Sequence, residues 1–289
     1  MMTDKPELTE HFAELGLTRL HYAAAGEGEP MILVPATISL IEDWAEFVRF
    51  LAQKFRVHFF ELPGYGKSTH FEEGFSSERV AETVERLADS LGLERFVLGG
   101  FSFGGILTLK TLKRLSERID KVVLLSPCVS RRALKHSRAQ LMALRTAVTA
   151  LSTRPGRNGV LKLMHDPRTV DALVWFMTQV GKYETNADLR TRLLGFPAET
   201  LDVLLSQVIE VLTVEESDLA GPYPQRCFFG MSVKDPLLDF AVTLDFIEEN
   251  FADPIVERYD FPYHTPPEPF TFEQLNRDYP DVLDAFERG

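Results

Sequence analysis

Short apolar runs alternate along the chain with longer stretches in which apolar residues recur at helical spacing. Seven runs have the length and composition of buried strands, at residues 18–24, 31–34, 57–61, 96–99, 122–126, 227–230 and 255–259. Five stretches have the helical pattern, at residues 41–54, 76–91, 104–116, 237–250 and 272–286. This alternation predicts an α/β fold with a doubly wound, mostly parallel sheet and helices on both faces.

The alternation is interrupted at residues 129–223, where helical patterns follow one another without a strand between them. Turn-forming pairs divide this stretch into several helices, at Pro155-Gly156, Asp166-Pro167 and Phe196-Pro197. The sequence therefore predicts one large domain in two parts, residues 1–128 and 224–289, with a helical insertion at 129–223.

A strand pattern passes into a helix pattern through Gly100-Phe101-Ser102-Phe103-Gly104, which reads G-x-S-x-G. A serine on so tight a turn needs neighbours without bulky side chains, because strand and helix nearly touch there. The turn lifts the hydroxyl to the N-terminus of the helix, whose partial positive charge favours a developing oxyanion. Ser102 is therefore a candidate nucleophile, and the alternative is a glycine-rich packing turn.

A reactive serine needs a histidine base and an orienting acid, in the chain order Ser, Asp or Glu, His. Asp235 follows the strand pattern at 227–230, at the sheet edge where open α/β sheets collect functional groups. His264 follows the last strand pattern, whereas the other six histidines precede the serine or lie in the insertion. Asp235 is the preferred acid, with Asp239 and Asp218 as alternatives.

With these residues in place, the chain resembles the α/β-hydrolase superfamily over most of its length outside the insertion. Two further marks are the segments at residues 26–30 and 61–68, each beside a predicted strand. The resemblance implies that Ser102 is the nucleophile, His264 the general base and acid, and Asp235 the acid that orients the imidazole. It also implies that the insertion is a helical cap and that no cofactor or metal is required.

The chain departs from the superfamily at the expected oxyanion hole. Relatives usually carry His-Gly after the second predicted strand, and here those places are Pro35 and Ala36. Thr37 is by position the first N–H donor and Phe103 the second. Proline cannot donate, and Ala36 requires a negative φ or some strain, but the donor itself lies one residue later. At Glu61 relatives normally have aspartate, and we interpret that segment as a structural turn without chemistry.

Substrate selection is expected in the cap, where Trp175, Phe176 and Met177 could line an apolar pocket. The alternative is that these side chains only bury the cap against the main domain. The same region is unusual in charge, because no acidic residue occurs between Asp120 and Asp166. Nine cations lie there, namely Lys121, Arg131, Arg132, Lys135, Arg138, Arg145, Arg154, Arg157 and Lys162.

Three interpretations of these cations stay open. They could form a solvated face that pairs with acidic surface elsewhere on the protein. They could attract anionic substrates or an acidic carrier such as an acyl carrier protein. They could also contact an anionic membrane surface or a partner subunit, as in a homodimer.

Composition limits the function classes further. A chain of 289 residues that is 45 % apolar suits one large domain, and a net charge of −12 argues for solubility and against nucleic acid binding. Cys128 and Cys227 provide neither a metal-like spacing nor a disulfide framework. No signal peptide is visible and no apolar run approaches the ~18 residues of a transmembrane helix, so we expect a cytoplasmic protein.

The function predicted first is hydrolysis of a small-molecule carboxylic ester or related acyl compound through an acyl-enzyme. Serine at the nucleophile position argues against the dehalogenase and epoxide hydrolase branches, which use aspartate there. Alternatives within the fold are a carbon–carbon bond hydrolase, a thioesterase and a cofactor-free haloperoxidase. A binding or accessory protein that retains the triad is a further alternative, which the altered Pro35-Ala36-Thr37 segment favours.

Overall fold

The computed structural model describes residues 5–179, 189–266 and 269–288. This part of the chain contains one sheet of eight strands, β1 Leu8–Leu15, β2 Thr18–Ala25, β3 Glu29–Val34, β4 Phe55–Phe60, β5 Phe96–Phe101, β6 Ile119–Leu125, β7 Arg226–Ser232 and β8 Ile255–Tyr259. The strand order is β1-β2-β4-β3-β5-β6-β7-β8. Strands β1 and β2 are antiparallel to their neighbours, and every pairing from β4 to β8 is parallel. The predicted mostly parallel sheet is confirmed.

The helices of the described residues are α1 Ile41–Leu51, α2 Ser77–Ser90, α3 Phe103–Leu115, α4 Arg138–Leu151, α5 Arg154–Met164, α6 Pro167–Gln179, α7 Leu189–Leu194, α8 Ala198–Val211, α9 Glu216–Leu219, α10 Phe240–Asn250, α11 Phe272–Asp278 and α12 Val282–Arg288. The helices lie on both faces of the sheet. The contacts of neighbouring strand residues show this, because successive side chains of a strand point to opposite faces. Phe228 contacts Phe286 of α12, whereas the next residue, Phe229, contacts Phe240 of α10. The sheet is therefore covered on both sides, as a doubly wound fold requires.

The main core lies between the sheet and the helices α1, α11 and α12. Strand residues such as Met31, Val97 and Phe228 are almost completely buried there, and Phe286 packs edge-on against Phe228 with ring centroids 4.5 Å apart. Strands buried on both faces have near-continuous apolar sequences. This explains why the central strands could be found from the sequence.

Several boundaries shift by one to three residues, and three differences from the sequence prediction have a clear structural reason. Strand β1 was not predicted, because most of its residues are exposed and its pattern lacks a buried face. The last helix pattern is broken into α11 and α12 at Tyr279, since the following Pro280 disfavours helical backbone before it. Helix α10 begins at Phe240 rather than at residue 237, because Asp239 caps its N-terminus and accepts the N–H groups of the first turn.

The chain divides into two compact units. One comprises Met1–His136 and Thr213–Gly289, and it contains the sheet. The other, Ser137–Leu212, is helical, lies within the stretch predicted as the insertion, and has a small core of Val148, Leu201 and Leu205. None of the described helices is both long and apolar enough to cross a membrane.

At least five of the nine cations between residues 121 and 165 have partners within 3.1 Å. Lys121 is almost fully buried against Glu29, and Lys135 donates to the backbone oxygen of Asp235. The three arginines form ion pairs, Arg131 with Glu215, Arg132 with Glu216 and Arg157 with Asp202. For these residues the structure favours paired charge over a free positive rim.

His58 is a buried histidine on β4. Within the described part of the chain neither of its ring nitrogens has a hydrogen-bond partner. Burial, followed by the nearby charges of Arg56 and His11, lowers the pKa of His58 to about 4. Between about pH 4 and pH 6.5 the imidazole is therefore mostly neutral in the folded protein, whereas the unfolded chain binds a proton there.

Folding stability should consequently fall on acidification. Between pH 6.5 and pH 4 the unfolded state binds more protons at His58 than the native state, so the free energy of unfolding decreases as pH falls through this window. From pH 7 to pH 4.5 the contribution is about 2 kcal/mol. Urea unfolding at the two pH values should show a smaller decrease for His58→Phe than for the parent. Equal decreases would contradict this origin of the pH dependence.

Candidate active site

Ser102 occupies the turn between β5 and α3. Its backbone has φ 55° and ψ −117°, a conformation that glycine adopts readily and serine only with strain. Hydrogen bonds hold it there: its N–H donates to Leu125 O over 3.1 Å, and its carbonyl oxygen accepts from Gly105 and Cys128, each over 2.9 Å. The end of β6 and the residues after it thus fix the position of the serine.

The two glycines of the motif allow strand and helix to approach closely. A Cβ atom at Gly100 would overlap the Thr108 hydroxyl and the Gly104 carbonyl oxygen. A Cβ at Gly104 would lie 2.9 Å from Val34 O and 3.1 Å from Pro35 O. The need for small residues predicted from G-x-S-x-G is confirmed, and the contact at Gly104 brings the start of α3 against the end of β3.

The structure brings Ser102, His264 and Asp235 into one hydrogen-bonded chain. His264 Nε2 lies 2.7 Å from Ser102 Oγ, and His264 Nδ1 lies 2.6 Å from Asp235 Oδ2. The two alternative acids have other partners. Asp239 accepts from the first N–H groups of α10, and Asp218 forms a capping box with Glu215 at α9.

Asp235 is held as an ionised acceptor. Its side chain has no solvent exposure, and Oδ1 accepts the N–H groups of Leu237 and Leu238 over 2.8 and 3.0 Å. Burial alone would raise its pKa, but the hydrogen bond from His264 and these backbone N–H groups outweigh burial, so the pKa of Asp235 lies below its ordinary value. An acid that stays ionised can stabilise an imidazolium beside it.

The tautomer of His264 follows from this arrangement. An ionised carboxylate only accepts, so Nδ1 carries the proton and donates it to Asp235, which leaves Nε2 to accept from the serine hydroxyl. The imidazole also stacks on the Phe101 ring with centroids 5.1 Å apart. Ser232 joins the acid and histidine loops, because its hydroxyl donates to Phe261 O and accepts from the Phe261 N–H. Ring and loops together orient Nε2 towards Ser102.

The segment after β3 contains the predicted oxyanion donor Thr37. The residue of this segment with a positive φ is Ile38, at 50°. Ala36, where the sequence suggested strain, has no positive φ. The buried Tyr65 side chain hydrogen-bonds to the backbone of Ile38 and so supports this segment. Phe103 is the first residue of α3, where a backbone N–H has no partner within the helix. The donor roles of Thr37 and Phe103 stay predictions.

A second buried carboxylate–histidine pair has a structural arrangement. Glu61 accepts from His21 Nδ1 over 2.8 Å, from Lys67 N–H over 2.7 Å and from Ile41 N–H over 3.3 Å. Ser68 donates to its backbone oxygen. Glu61 therefore joins β2, the turn after β4 and the first residue of α1, in keeping with its interpretation as part of a turn.

A cavity of about 400 Å³ lies beside His264. Its walls are rich in aromatic rings, and every residue that lines it belongs to the unit that contains the sheet. Sequence reasoning missed this cavity, although Trp44 and Phe47 on α1 gave a signal as large rings on one amphipathic helix. Of the three residues predicted to contact substrate, Trp175 is 61 % exposed on α6, and the side chains of Phe176 and Met177 lie outside the described part.

Comparison with known proteins agrees with this fold. A family model for the alpha/beta hydrolase fold matches residues 29–163, which include β3 to β6 and the turn at Ser102. The chain is similar to the pimeloyl-[acyl-carrier protein] methyl ester esterase of Nitrosospira multiformis, with 30 % identity over 115 residues, 39 % of this chain and 43 % of the relative. It is also similar to the 2-hydroxy-6-oxo-6-phenylhexa-2,4-dienoate hydrolase of Comamonas testosteroni, with 33 % identity over 113 residues, 37 % of this chain and 40 % of that protein.

The matched stretch spans less than half of either curated relative. Over nearly the whole chain, the fold is similar to that of a thermophilic esterase from Thermogutta terrifontis, with a TM-score of 0.68, 18 % identity, and coverage of 97 % of this chain and 98 % of that one. The parallel sheet, the strand–serine–helix turn and the family match lead to one assignment. The protein has the α/β-hydrolase fold, and its residues 29–163 match the model of that fold.

Proposed function

We propose that the protein is a serine hydrolase that cleaves carboxylic esters through an acyl-enzyme on Ser102. The observation that carries this proposal is the continuous hydrogen-bond chain from buried Asp235 through His264 to Ser102, with lengths of 2.6 and 2.7 Å. A nucleophile within reach of a base, with the base oriented by a third group, is the arrangement that activates a hydroxyl.

In the first half of the reaction, Ser102 Oγ attacks the acyl carbonyl carbon while its proton passes to His264 Nε2. Asp235 remains ionised and accepts the hydrogen bond from His264 Nδ1, so its negative charge stabilises the imidazolium that forms. The N–H groups of Thr37 and Phe103 would bind the oxygen that becomes negative in the tetrahedral intermediate. The imidazolium then protonates the leaving alkoxide, the carbon–oxygen bond breaks, and an alcohol and an acyl-enzyme remain.

In the second half, water replaces the alcohol. His264 Nε2 takes a proton from the water as its oxygen attacks the acyl carbon, and the same two N–H groups stabilise the second tetrahedral intermediate. The imidazolium returns the proton to Ser102 Oγ as the acyl bond breaks. The products are a carboxylic acid and free enzyme, and the side chains end in their starting protonation states.

The likeness to the Nitrosospira esterase supports ester hydrolysis. The likeness to the Comamonas protein, named as a dienoate hydrolase, favours carbon–carbon bond hydrolysis as the second candidate. Both reactions can use an activated serine and an oxyanion site.

We also propose that the unit Ser137–Leu212 acts as the cap. Its exposed cations are available to an anionic substrate, an acidic carrier or a second subunit, namely Arg138, Arg145, Arg154 and Lys162.

A substrate panel tests this proposal. The purified protein is assayed with p-nitrophenyl acetate, an acyl thioester and a vinylogous 1,5-diketone, and kcat/KM should be highest for the ester. If deacylation is slow, p-nitrophenol should appear in an initial burst that approaches one equivalent per active site. The variant Asp239→Asn, altered at an acid that caps α10, should retain this preference.

Two outcomes would redirect the proposal. A kcat/KM highest for the diketone would make carbon–carbon bond hydrolysis the main activity. No turnover of any of the three substrates, together with no reaction with a fluorophosphonate, would favour a binding protein that retains the triad residues.

A further inference from the structure

The aromatic cavity lies on the face of the sheet that is opposite to α3. Gly99 and Gly100 are neighbours on β5 and face opposite sides: a Cβ on Gly99 would meet Met31 and Leu33 of the main core, and one on Gly100 would meet Thr108 of α3. The cavity is on the Gly99 side. Its walls come from the loop after β3, from α1, from the ends of β5 to β8 and from the C-terminal segment.

The cavity begins beside the reacting groups. Thr37, Phe101 and His264 line it, and His264 holds the Ser102 hydroxyl over 2.7 Å. A series of rings leads away from this end, because Phe101 lies 5.1 Å from the His264 ring and 5.7 Å from the Trp44 ring between centroids. A group attached to the carbonyl carbon at Ser102 could therefore extend along a continuous apolar wall.

One wall is formed by both halves of the broken C-terminal helix. Leu275 and Tyr279 line the cavity from the α11 side, and Val282 and Phe286 line it from α12. Tyr279 has φ −133° and ψ 52°, outside the helical range, directly before Pro280. Because the helix is broken at Tyr279, residues of both α11 and α12 line the same cavity.

The walls lack the charges that an anionic group would need. Among the described residues that line the cavity none is lysine or arginine, and Asp43 is the acidic one. Burial raises the pKa of Tyr259, so its hydroxyl stays neutral. A space of about 400 Å³ that is lined mainly by apolar side chains falls in the range of small-molecule sites.

We infer that this cavity receives the acyl chain of the substrate, and that the enzyme selects esters of uncharged, apolar carboxylic acids. This inference rests on the proposed ester hydrolysis and locates acyl selection on α1 and the C-terminal helices, whereas the sequence placed substrate choice in the cap. Each methylene group that enters an apolar site should raise kcat/KM by up to about fourfold, until the cavity is filled.

The kinetic test compares p-nitrophenyl acetate with p-nitrophenyl octanoate. Val282→Phe places a ring in the cavity and should lower kcat/KM for octanoate by at least about tenfold, because several methylene groups lose their place. The octanoate-to-acetate ratio of kcat/KM should therefore fall. Val242→Phe is the matched control, since Val242 is also half-buried but lies on α10, over the other face. It should leave the octanoate-to-acetate ratio unchanged.

A binding measurement gives a readout that needs no turnover. Trp44 lines the cavity and is one of two tryptophans in the chain, so the double variant Ser102→Ala, Trp175→Phe reports on the cavity by fluorescence. Methyl 8-bromooctanoate, an uncharged ester with a heavy-atom quencher, should quench this emission with saturation. Adding Val282→Phe should weaken the saturable quenching at least about tenfold, and adding Val242→Phe should not.

The two measurements separate the inference from the function on which it rests. Saturable quenching that Val282→Phe weakens, in a protein that hydrolyses neither ester, would support the cavity as an apolar site and reject ester hydrolysis. Ester hydrolysis with an octanoate-to-acetate ratio and a quenching curve that Val282→Phe leaves unchanged would overturn the cavity assignment. A variant Val282→Phe that loses acetate hydrolysis is replaced by Val282→Ala, which enlarges the space and should shift the best substrate to a longer acyl chain. An unchanged preference in Val282→Ala would equally overturn it.

Discussion

Replacing Ser102 with alanine is expected to abolish labelling by a fluorophosphonate and to lower ester turnover by about 10⁴–10⁶-fold. The reason is that Ser102 Oγ is the atom held at 2.7 Å from His264 Nε2, and alanine leaves no nucleophile there. Labelling of the intact protein by mass spectrometry and kcat/KM for p-nitrophenyl acetate are the two measurements. Ser90→Ala is a control, because Ser90 lies on α2 and its hydroxyl donates only to Leu87 O among the described contacts.

The fold should survive this change, since the backbone bonds of Ser102 to Leu125, Gly105 and Cys128 do not involve the side chain. Circular dichroism and thermal unfolding of Ser102→Ala should therefore match the parent closely. Turnover by Ser102→Ala within tenfold of the parent would exclude the acyl-enzyme mechanism at this residue.

His264→Ala should be as damaging as loss of the serine, and Asp235→Asn should retain about ten to a hundred times more activity than either. Groups that act as one unit are not additive, and the orienting acid usually contributes less than the nucleophile or the base. Asparagine can also donate to Nδ1, which favours the wrong tautomer of His264. Single-turnover rates with p-nitrophenyl acetate measure these differences without interference from product release.

The choice of acid has its own controls. Asp239→Asn and Asp218→Asn alter carboxylates that cap helices, and both variants should keep the parent rate. An active Asp235→Asn beside an inactive Asp239→Asn or Asp218→Asn would mean that the orienting acid has been misassigned.

The parts of the fold that could be predicted are those that a local pattern determines. The strands β3, β5 and β6 are buried on both faces, so their sequences are almost continuously apolar. The turn at Ser102 could be predicted because two glycines are required within a few residues of each other. Strand β1 could not, since an exposed edge strand carries polar residues on both faces and has no period-two signal.

The candidate site shows the same division. Asp235 and Asp239 are only four residues apart after β7, and the packing of the loops places Asp235 against His264 while Asp239 caps α10. The aromatic cavity depends on rings from α1 and from residues more than two hundred positions later, such as Trp44 and Phe286. Side chains so distant in the sequence leave no local pattern that marks a shared wall.

The backbone conformation of Ser102 lowers folding stability, although the proposed reaction needs a serine hydroxyl at this position. A non-glycine residue in such a conformation carries strain of roughly 1–3 kcal/mol, and glycine at position 102 would relieve it. If folding stability were the only property under selection, glycine would be favoured at position 102, because it adopts this conformation without strain. Serine there is the less stable choice, and only a benefit outside folding, such as a reaction at its hydroxyl, gives evolution a reason to keep it.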